Sequence, residues 1–185
     1  MTVIIGIVIA FAATTAILYN KLVRLRNQTA NAWSQVDVQL SRRHDLIPNL
    51  VEAVKGYMRH ERALLEELTR ARSLAMQASG VAAVADAENK LSCTLGQVMA
   101  VIEAYPDLKA NQNTLALQEE LVSTENKVAF ARQFYNDSVM HLNTGVQSFP
   151  SNIAASMFGF KEAEFFELDD AGARQPPQIN LNPNP

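Results

Sequence analysis

The stretch RRHDLIPNLVEAVKGYMRHE, residues 42–61, contains a proline within a pattern that otherwise has the spacing of an α-helix. Apolar or small residues recur on both sides of Pro48 at alternating steps of three and four, the spacing of one helix face that packs on a neighbour. A loop would usually reset this phase, and no reset occurs. Two charged residues, Glu61 and Arg72, interrupt the series. Its members are Trp33, Val36, Leu40, His44, Ile47, Val51, Val54, Met58, Glu61, Leu65, Leu68, Arg72 and Ala75.

The pattern therefore predicts a single helix 1 over residues 20–77, kinked where Pro48 lacks an amide hydrogen and displaces the carbonyl of His44. At 1.5 Å per residue this helix would be about 85 Å long. The alternative is a break, in which Asp45 caps a new helix and Pro48 lies in its first turn, where proline is tolerated.

The amino-terminal segment VIIGIVIAFAATTAILY, residues 3–19, has 17 residues and no charged side chain. This length is near the lower limit for crossing a bilayer. We predict a transmembrane helix that is surrounded by membrane lipid and continues into helix 1. A cleaved signal peptide is the alternative, with AFA at 10–12 as its cleavage site, but the leader Met1-Thr2 has no basic residue. Three bases follow the segment and place the rest of the chain in the cytoplasm by the positive-inside rule, although the periplasmic side stays open. They are Lys21, Arg24 and Arg26.

Three further helices follow helix 1 in the predicted order. Helix 2 is predicted over residues 81–104 and helix 3 over residues 113–149, where ten apolar or small positions alternate in steps of four and three. A short apolar helix is predicted over residues 151–158. Residues 169–185 are rich in Pro, Asn and Gln, which predicts a disordered tail.

The predicted fold is all-α. A transmembrane anchor at residues 1–19 continues into an elongated antiparallel bundle at residues 20–168, made of three long helices and the short carboxyl-terminal helix.

Charge is divided between the two halves of the chain. Residues 1–72 hold 10 Lys and Arg and 6 Asp and Glu, a net charge of +4, whereas the remainder holds 6 and 13, a net charge of −7. This division suits a basic first half packed on an acidic second half and provides no broad basic surface for nucleic acid.

Four stretches of the chain, in order, resemble the LemA family of bacterial membrane-anchored proteins. They are residues 19–61, YPDLKAN at 105–111, LQEELVSTENKVAFARQFYN at 117–136 and FPSNIAASMFGFKEAEFFEL at 149–168. The resemblance implies an anchor in the bacterial inner membrane and a bundle of long helices. It implies no known reaction. Many relatives carry lysines before the membrane segment, and these are missing here.

No residue is predicted to be catalytic or to bind a metal or cofactor. A di-iron helical bundle needs a Glu three residues before a His, but Ser41, Tyr57 and Ser138 stand at those positions before the three histidines. The glycines form no nucleophile elbow or phosphate loop. Cys93 is the only cysteine, which excludes an intrachain disulfide and a CxxC site. We therefore expect a protein that is not an enzyme.

Several polar residues near the series of helix 3 are expected to satisfy one another and fix the register of the bundle, with a ligand-binding site as the alternative. They are Asn126, Arg132, Tyr135 and Asn136.

The stretch after Pro150 carries many apolar side chains outside the three main series. They could form a strap over the end of the bundle, a contact with another subunit, or a contact with the bilayer surface. Bilayer contact is the weakest interpretation, because five nearby acidic residues would be repelled by anionic lipid. The predicted interface residues are Ile153, Met157, Phe158, Phe160, Phe165 and Phe166.

These features predict a membrane-anchored helical scaffold that forms a homo-oligomer and presents its bundle to partner proteins. The alternative is a membrane-tethered sensor that binds a small apolar ligand or peptide in a gap opened at Pro48.

Overall fold

The computed structural model describes residues 1–167, and this part of the chain contains helices and no strand. The all-α prediction is confirmed. The predicted tail at residues 169–185 lies outside the described residues. The six helices are α1 (Thr2–Val54), α2 (Arg62–Gln77), α3 (Val81–Ile102), α4 (Pro106–Ala110), α5 (Gln112–Gln147) and α6 (Ser151–Phe158).

Helix α1 has 53 residues and runs through Pro48 without a break. At 1.5 Å per residue it is about 80 Å long. The prediction that one helix passes through the proline is therefore confirmed, and the alternative break at Asp45 is wrong. The amino-terminal part of α1 is long and apolar enough to cross a membrane. Among the described residues, α1 is the only helix with this property.

The predicted continuation of this helix to residue 77 is wrong, because α1 ends at Val54 and α2 begins at Arg62. Gly56 lies in the intervening turn, where its low helix propensity favours an exit from the helix. The amide of Met58 still donates to the carbonyl of Val54 at 3.0 Å, a helical bond that keeps Met58 buried in phase with α1. The apolar spacing therefore runs through the turn, and spacing alone could not reveal it.

The carbonyl of His44 loses its helical partner at Pro48 and receives another from α2. The Nε of Arg72 donates to this carbonyl at 2.6 Å. This bond explains why a charged residue interrupts the apolar series. The other interruption has a similar explanation, since the carboxylate of Glu61 accepts from the Tyr105 hydroxyl at 2.7 Å.

Helix α5 packs antiparallel along α1. The Thr29 hydroxyl donates to the carbonyl of Ser138 at 3.1 Å near one end of the pair, and Arg42 binds Glu120 toward the other. Gly145 lies close to α1, since an added Cβ would lie 3.0 Å from a terminal methyl of Leu25 and 3.3 Å from one of Leu22. A larger residue at this position would therefore require small shifts of these two leucine side chains.

Helices α2 and α3 pack beside the carboxyl-terminal half of α1 and complete a four-helix region there. The apolar core of this region joins side chains from these helices and from α4 and the start of α5, including Ile47, Leu50, Val54, Leu68, Leu91, Ile102, Leu108 and Leu121. A second core lies where α1 and α5 meet the start of α3 and includes Val36, Leu40, Ala85, Val128, Val139 and Phe166. The region nearer the amino terminus is thinner, because α2 and α3 do not extend along it.

After α6 the chain reverses at Gly159, whose φ of 71° is left-handed and suits glycine. Residues 160–167 then return along α1 and α5 without helical structure. We refer to residues 160–167 as the strap.

We predict that Arg72→Met lowers the free energy of unfolding by about 1–3 kcal/mol, because the buried carbonyl of His44 then has no donor. Thermal unfolding of the detergent-solubilised protein by circular dichroism measures this. Arg70→Met is the matched control, since Arg70 is exposed on the same helix.

The same experiment in a Pro48→Ala background separates the carbonyl bond from general packing. The alanine introduced there supplies an amide hydrogen to the His44 carbonyl, so Arg72→Met should have a smaller effect in this background than in the wild type. An equal effect in both backgrounds would show that Arg72 acts in another way.

Candidate functional site

A cluster of charged side chains lies buried where α1, α3 and α5 meet, one turn before Pro48. Arg43 is 1 % exposed and binds three groups. Its Nη2 donates to Glu88, and its Nη1 donates to the Ser92 hydroxyl at 2.7 Å and to Glu125 at 2.5 Å. The second oxygen of Glu88 lies 2.7 Å from Nε2 of His44. Arg43 therefore ties three helices together at one point.

The pKa of Glu88 reflects its two partners. Burial acts to raise the pKa, but the hydrogen bond from His44 and the charge of Arg43 outweigh this, and the net pKa lies below its usual value of 4.5. Glu88 is thus an ionised carboxylate inside the protein. Removing it would leave Arg43 as a buried, partly unpaired charge, which is strongly unfavourable.

The chemistry available in this cluster is limited. Within residues 1–167, no group of three or more His, Cys, Asp and Glu side chains could hold a metal ion. Cys93 is exposed, and His60 and His141 lie on the surface away from the cluster. The buried cluster acts as a polar joint between helices, and sequence reasoning missed it. The signal was the pair Arg43-His44, because His44 occupies a position in the apolar series of helix 1 and Arg43 stands next to it.

A second polar feature is a pair of asparagines on α5 that bind the main chain of the strap. Asn143 donates to the Ala163 carbonyl at 3.0 Å and accepts from its amide at 2.9 Å. Asn136 does the same with Phe166, at 3.1 and 2.9 Å. Each side-chain amide thus pairs with one residue as a neighbouring β-strand would.

The spacing of the two asparagines determines the form of the strap. Seven residues of helix separate them, a rise of about 10.5 Å. Their partners Ala163 and Phe166 are three residues apart, and three extended residues span about 10 Å. The strap is therefore nearly fully extended between them and runs antiparallel to α5.

Aromatic and charged contacts hold the end of the strap. The Phe166 ring is buried, with its centroid 6.1 Å from that of Trp33, and the guanidinium of Arg132 lies 5.6 Å over it. The Tyr135 hydroxyl donates to the carbonyl of Glu164 at 2.9 Å. Burial raises the pKa of Tyr135 and lowers that of Arg132.

The predicted register-fixing residues thus divide by their contacts. Tyr135, Asn136 and Arg132 all contact the strap, whereas Asn126 is exposed. Asn143 has the same role as Asn136 but was missed, although its position one heptad later was a usable signal.

The predicted interface residues also divide. Phe166 is buried and cannot form an outer surface, so its inclusion was wrong. Phe160 is partly buried beneath the guanidinium of Arg26, 5.3 Å from its ring. Four of the six are exposed, namely Ile153, Met157, Phe158 and Phe165.

A groove lies on the face of the α1–α5 pair, with the exposed apolar side chains Phe130, Phe134 and Val38 beside polar side chains of α1 such as Ser34 and Gln35. Phe130 is 72 % exposed and lies one turn before Phe134. The remaining groove side chains are mostly uncharged, with Lys127 as the one cation among them. We call the groove and these three side chains the α1–α5 groove.

The gap expected at Pro48 for a small ligand is occupied on one side by Arg72, which binds the freed carbonyl. An open cleft of about 720 Å³ lies instead at the α1–α2 turn, beside Met58 and Leu65. Its rim carries Lys55, Arg59 and Arg62. Pro48 does not line this cleft.

A model of the LemA family matches residues 32–181. The chain belongs to the LemA family. The strap, the asparagine pair and the Arg43 cluster all lie within the matched residues.

Two kinds of named relatives align over most of this LemA-family chain. Magnetosome protein MamQ 2 of Paramagnetospirillum magneticum is 26 % identical over 191 residues, covering 89 % of this chain and 70 % of the relative. Magnetosome protein MamQ of Magnetospirillum gryphiswaldense is 23 % identical with the same coverage of both chains. Protein LemA of Metamycoplasma hominis is 23 % identical over 171 residues, covering 88 % of this chain and 78 % of the relative.

We predict that Glu88→Gln lowers the free energy of unfolding by about 3 kcal/mol at neutral pH, because Arg43 loses its buried counter-charge. Because the pKa of Glu88 is lower in the folded chain, its ionised form stabilises the fold above pH 4.5, and this contribution is lost as pH falls through the folded pKa. The melting temperature of the variant should thus depend less on pH in the acidic range.

Glu120→Gln is the matched control for this prediction. It removes an exposed ion pair with Arg42 and should change the free energy of unfolding by less than about 1 kcal/mol. Equal effects of the two substitutions would contradict the role assigned to Glu88.

We predict that Asn143→Ala loosens the strap. Two hydrogen bonds of about 1 kcal/mol each are lost, so amide exchange in residues 160–167 should accelerate about tenfold or more. Hydrogen exchange followed by mass spectrometry measures this. Asn126→Ala, an exposed change on the same helix, should leave strap exchange at the wild-type rate. Wild-type exchange rates across residues 160–167 in the Asn143 variant would refute the role assigned to the two asparagines.

Proposed function

We propose that this LemA-family protein is a non-enzymatic helical scaffold, anchored in the bacterial inner membrane by residues 3–19, which self-associates and presents its bundle to partner proteins. The bundle lies in the cytoplasm in this proposal, since Lys21, Arg24 and Arg26 directly follow the apolar segment. The observation that carries self-association is the α1–α5 groove.

The chemistry of this groove suits a second protein surface. Two exposed phenylalanines and a valine line the groove together with uncharged polar side chains and Lys127, and aromatic side chains are enriched at the centres of protein interfaces. Val38 is 19 residues beyond Tyr19, so the groove lies about 28 Å from the end of the apolar segment. Lipid cannot cover an apolar surface at that height.

The arrangement of the groove suits a second copy of the same chain. A two-fold interface requires one patch to carry both a projection and a recess, and here Phe130 projects beside the recess between α1 and α5. Anchoring orients all copies alike, so the two-fold axis must run along the membrane normal. The groove runs along helices that continue from the anchor, so two copies could pair side by side about such an axis. Confinement to the membrane also raises the effective concentration of copies.

We predict that Phe130→Asp with Phe134→Asp abolishes self-association. A Gln35→Cys substitution in the groove, made in a Cys93→Ser background, should give disulfide-linked dimers when isolated membranes are treated with an oxidant such as copper phenanthroline, and the double Asp substitution should eliminate them. Light scattering of the detergent-solubilised protein should show a matching loss of dimer mass.

Leu115→Asp is the control for this experiment, because Leu115 is also exposed and apolar but lies near the start of α5. It should leave the cross-linked dimer intact. A strictly monomeric wild-type protein would remove the self-association proposal.

A further inference from the structure

Residues 148–160 form a hairpin at the end of the bundle that adjoins the apolar amino-terminal segment of α1. We call these residues the α6 tip. Helix α5 descends along α1 and ends at Gln147, α6 crosses beside α1, and the strap then ascends again from Phe160. Ala154 and Ala155 are buried against Leu22. The Phe158 ring packs edge-on against Tyr19 at 4.8 Å. The tip is therefore fixed to α1 at the end of the apolar segment.

The outer side of the tip is apolar and lies beside the apolar segment itself. An open cleft of about 420 Å³ is bordered by Phe11 and Leu18 of α1 and by Ile153 and Met157 of the tip. Phe149 is 81 % exposed and Met157 is 62 % exposed. These side chains extend the exposed apolar surface of α1 sideways. Any partner that covers the apolar surface of α1 therefore also contacts the outer side of the tip.

The backbone of the tip can tolerate an apolar surrounding. The amide of Asn152 donates to the Ser148 carbonyl at 2.8 Å, and the amide of Phe160 donates to the Ala155 carbonyl at 2.9 Å. Pro150 has no amide hydrogen to satisfy. Both ends of α6 thus have internal hydrogen bonds, which a segment in contact with hydrocarbon requires.

Charges are ordered along the molecule in a way that the sequence does not reveal. Residues 142–160 contain no charged side chain. The charges next to the tip are the bases Lys21, Arg24, Arg26 and Lys161 and one acid, Glu162, which directly follows Lys161. The later acids of the strap are carried away from the tip, because Phe166 contacts Trp33, which is 14 residues and about 21 Å along α1 from Tyr19. This excess of bases over acids next to the tip weakens the expected repulsion by anionic lipid.

We infer that the α6 tip inserts into the interfacial layer of the leaflet from which the bundle emerges, so that the protein is held by its anchor and by a second, uncharged lipid contact. The partner of this surface is the acyl and headgroup region of the bilayer. In this arrangement the bases Lys21, Arg24 and Arg26 lie at the level of the anionic headgroups. This inference rests on the membrane anchor of the proposed function.

A second copy of the chain fits this surface less well than lipid does. The exposed side chains of the tip adjoin Phe11 of α1, which is 65 % exposed and lies within the segment that lipid surrounds in the proposed function. A protein partner at the tip would need to displace that lipid, whereas the bilayer covers both surfaces at once.

Spin labels at single cysteines test this inference in the full chain carrying Cys93→Ser, reconstituted in vesicles of phosphatidylcholine with a minor fraction of phosphatidylglycerol. Labels at Met157→Cys and Ile153→Cys report on the tip, Phe11→Cys on the anchor, and Val122→Cys on an exposed apolar position of the bundle. Relaxation by oxygen, which partitions into lipid, is compared with relaxation by a water-soluble nickel chelate. The ratio of oxygen to nickel effects should be several-fold higher at both tip positions than at Val122, and similar in direction to that at Phe11.

Each other outcome overturns a distinct statement. A lipid signal at Phe11 with an aqueous signal at both tip positions would refute the inserted tip and leave the anchor intact. An aqueous signal at Phe11 would refute the anchor and the inference with it. Labels on the tip that are shielded from both reagents and broadened by a neighbouring spin label would show that a second copy covers the tip.

Discussion

The continuity of α1 through Pro48 is the constraint on which the rest of the structure depends. A proline removes one donor from the middle of a helix and leaves a carbonyl without a partner, which would ordinarily favour a break. Arg72 supplies the missing donor from another helix, and the bond can form only when α2 is folded back on α1. The long helix and the four-helix region therefore stabilise each other: the bond that keeps α1 intact also fixes the position of α2.

Polar side chains define the arrangement elsewhere in the bundle, where apolar packing alone would allow sliding. Arg43 joins α1 to α3 and α5 through Glu88, Ser92 and Glu125. Asn136 and Asn143 fix the strap by binding its main chain rather than its side chains. Buried polar groups of this kind permit few alternative partners, because any slip in register would leave them unsatisfied.

The sequence predicted the parts of this structure that follow from local spacing. The passage of α1 through Pro48 followed from the unbroken phase between Leu40 and Val51, and the all-α class followed from the long apolar series. The turn after Val54 was not predictable in this way, because Met58 keeps its helical hydrogen bond and its buried position while the chain is already leaving the helix. Contacts between distant segments were also out of reach: nothing near Phe166 indicates that Trp33 and Arg132 surround its ring.

An unbroken helix between the apolar segment and the bundle makes the molecule a lever. Val54 is 35 residues beyond Tyr19, which corresponds to about 52 Å of continuous helix. Helices that cross bilayers adjust their inclination to hydrocarbon thickness, and a change of about 10° at the pivot would displace the far end by about 9 Å. With residues 3–19 crossing a membrane as proposed, a thinner or thicker bilayer would therefore move the four-helix region sideways. The height of that region above the lipid would hardly change.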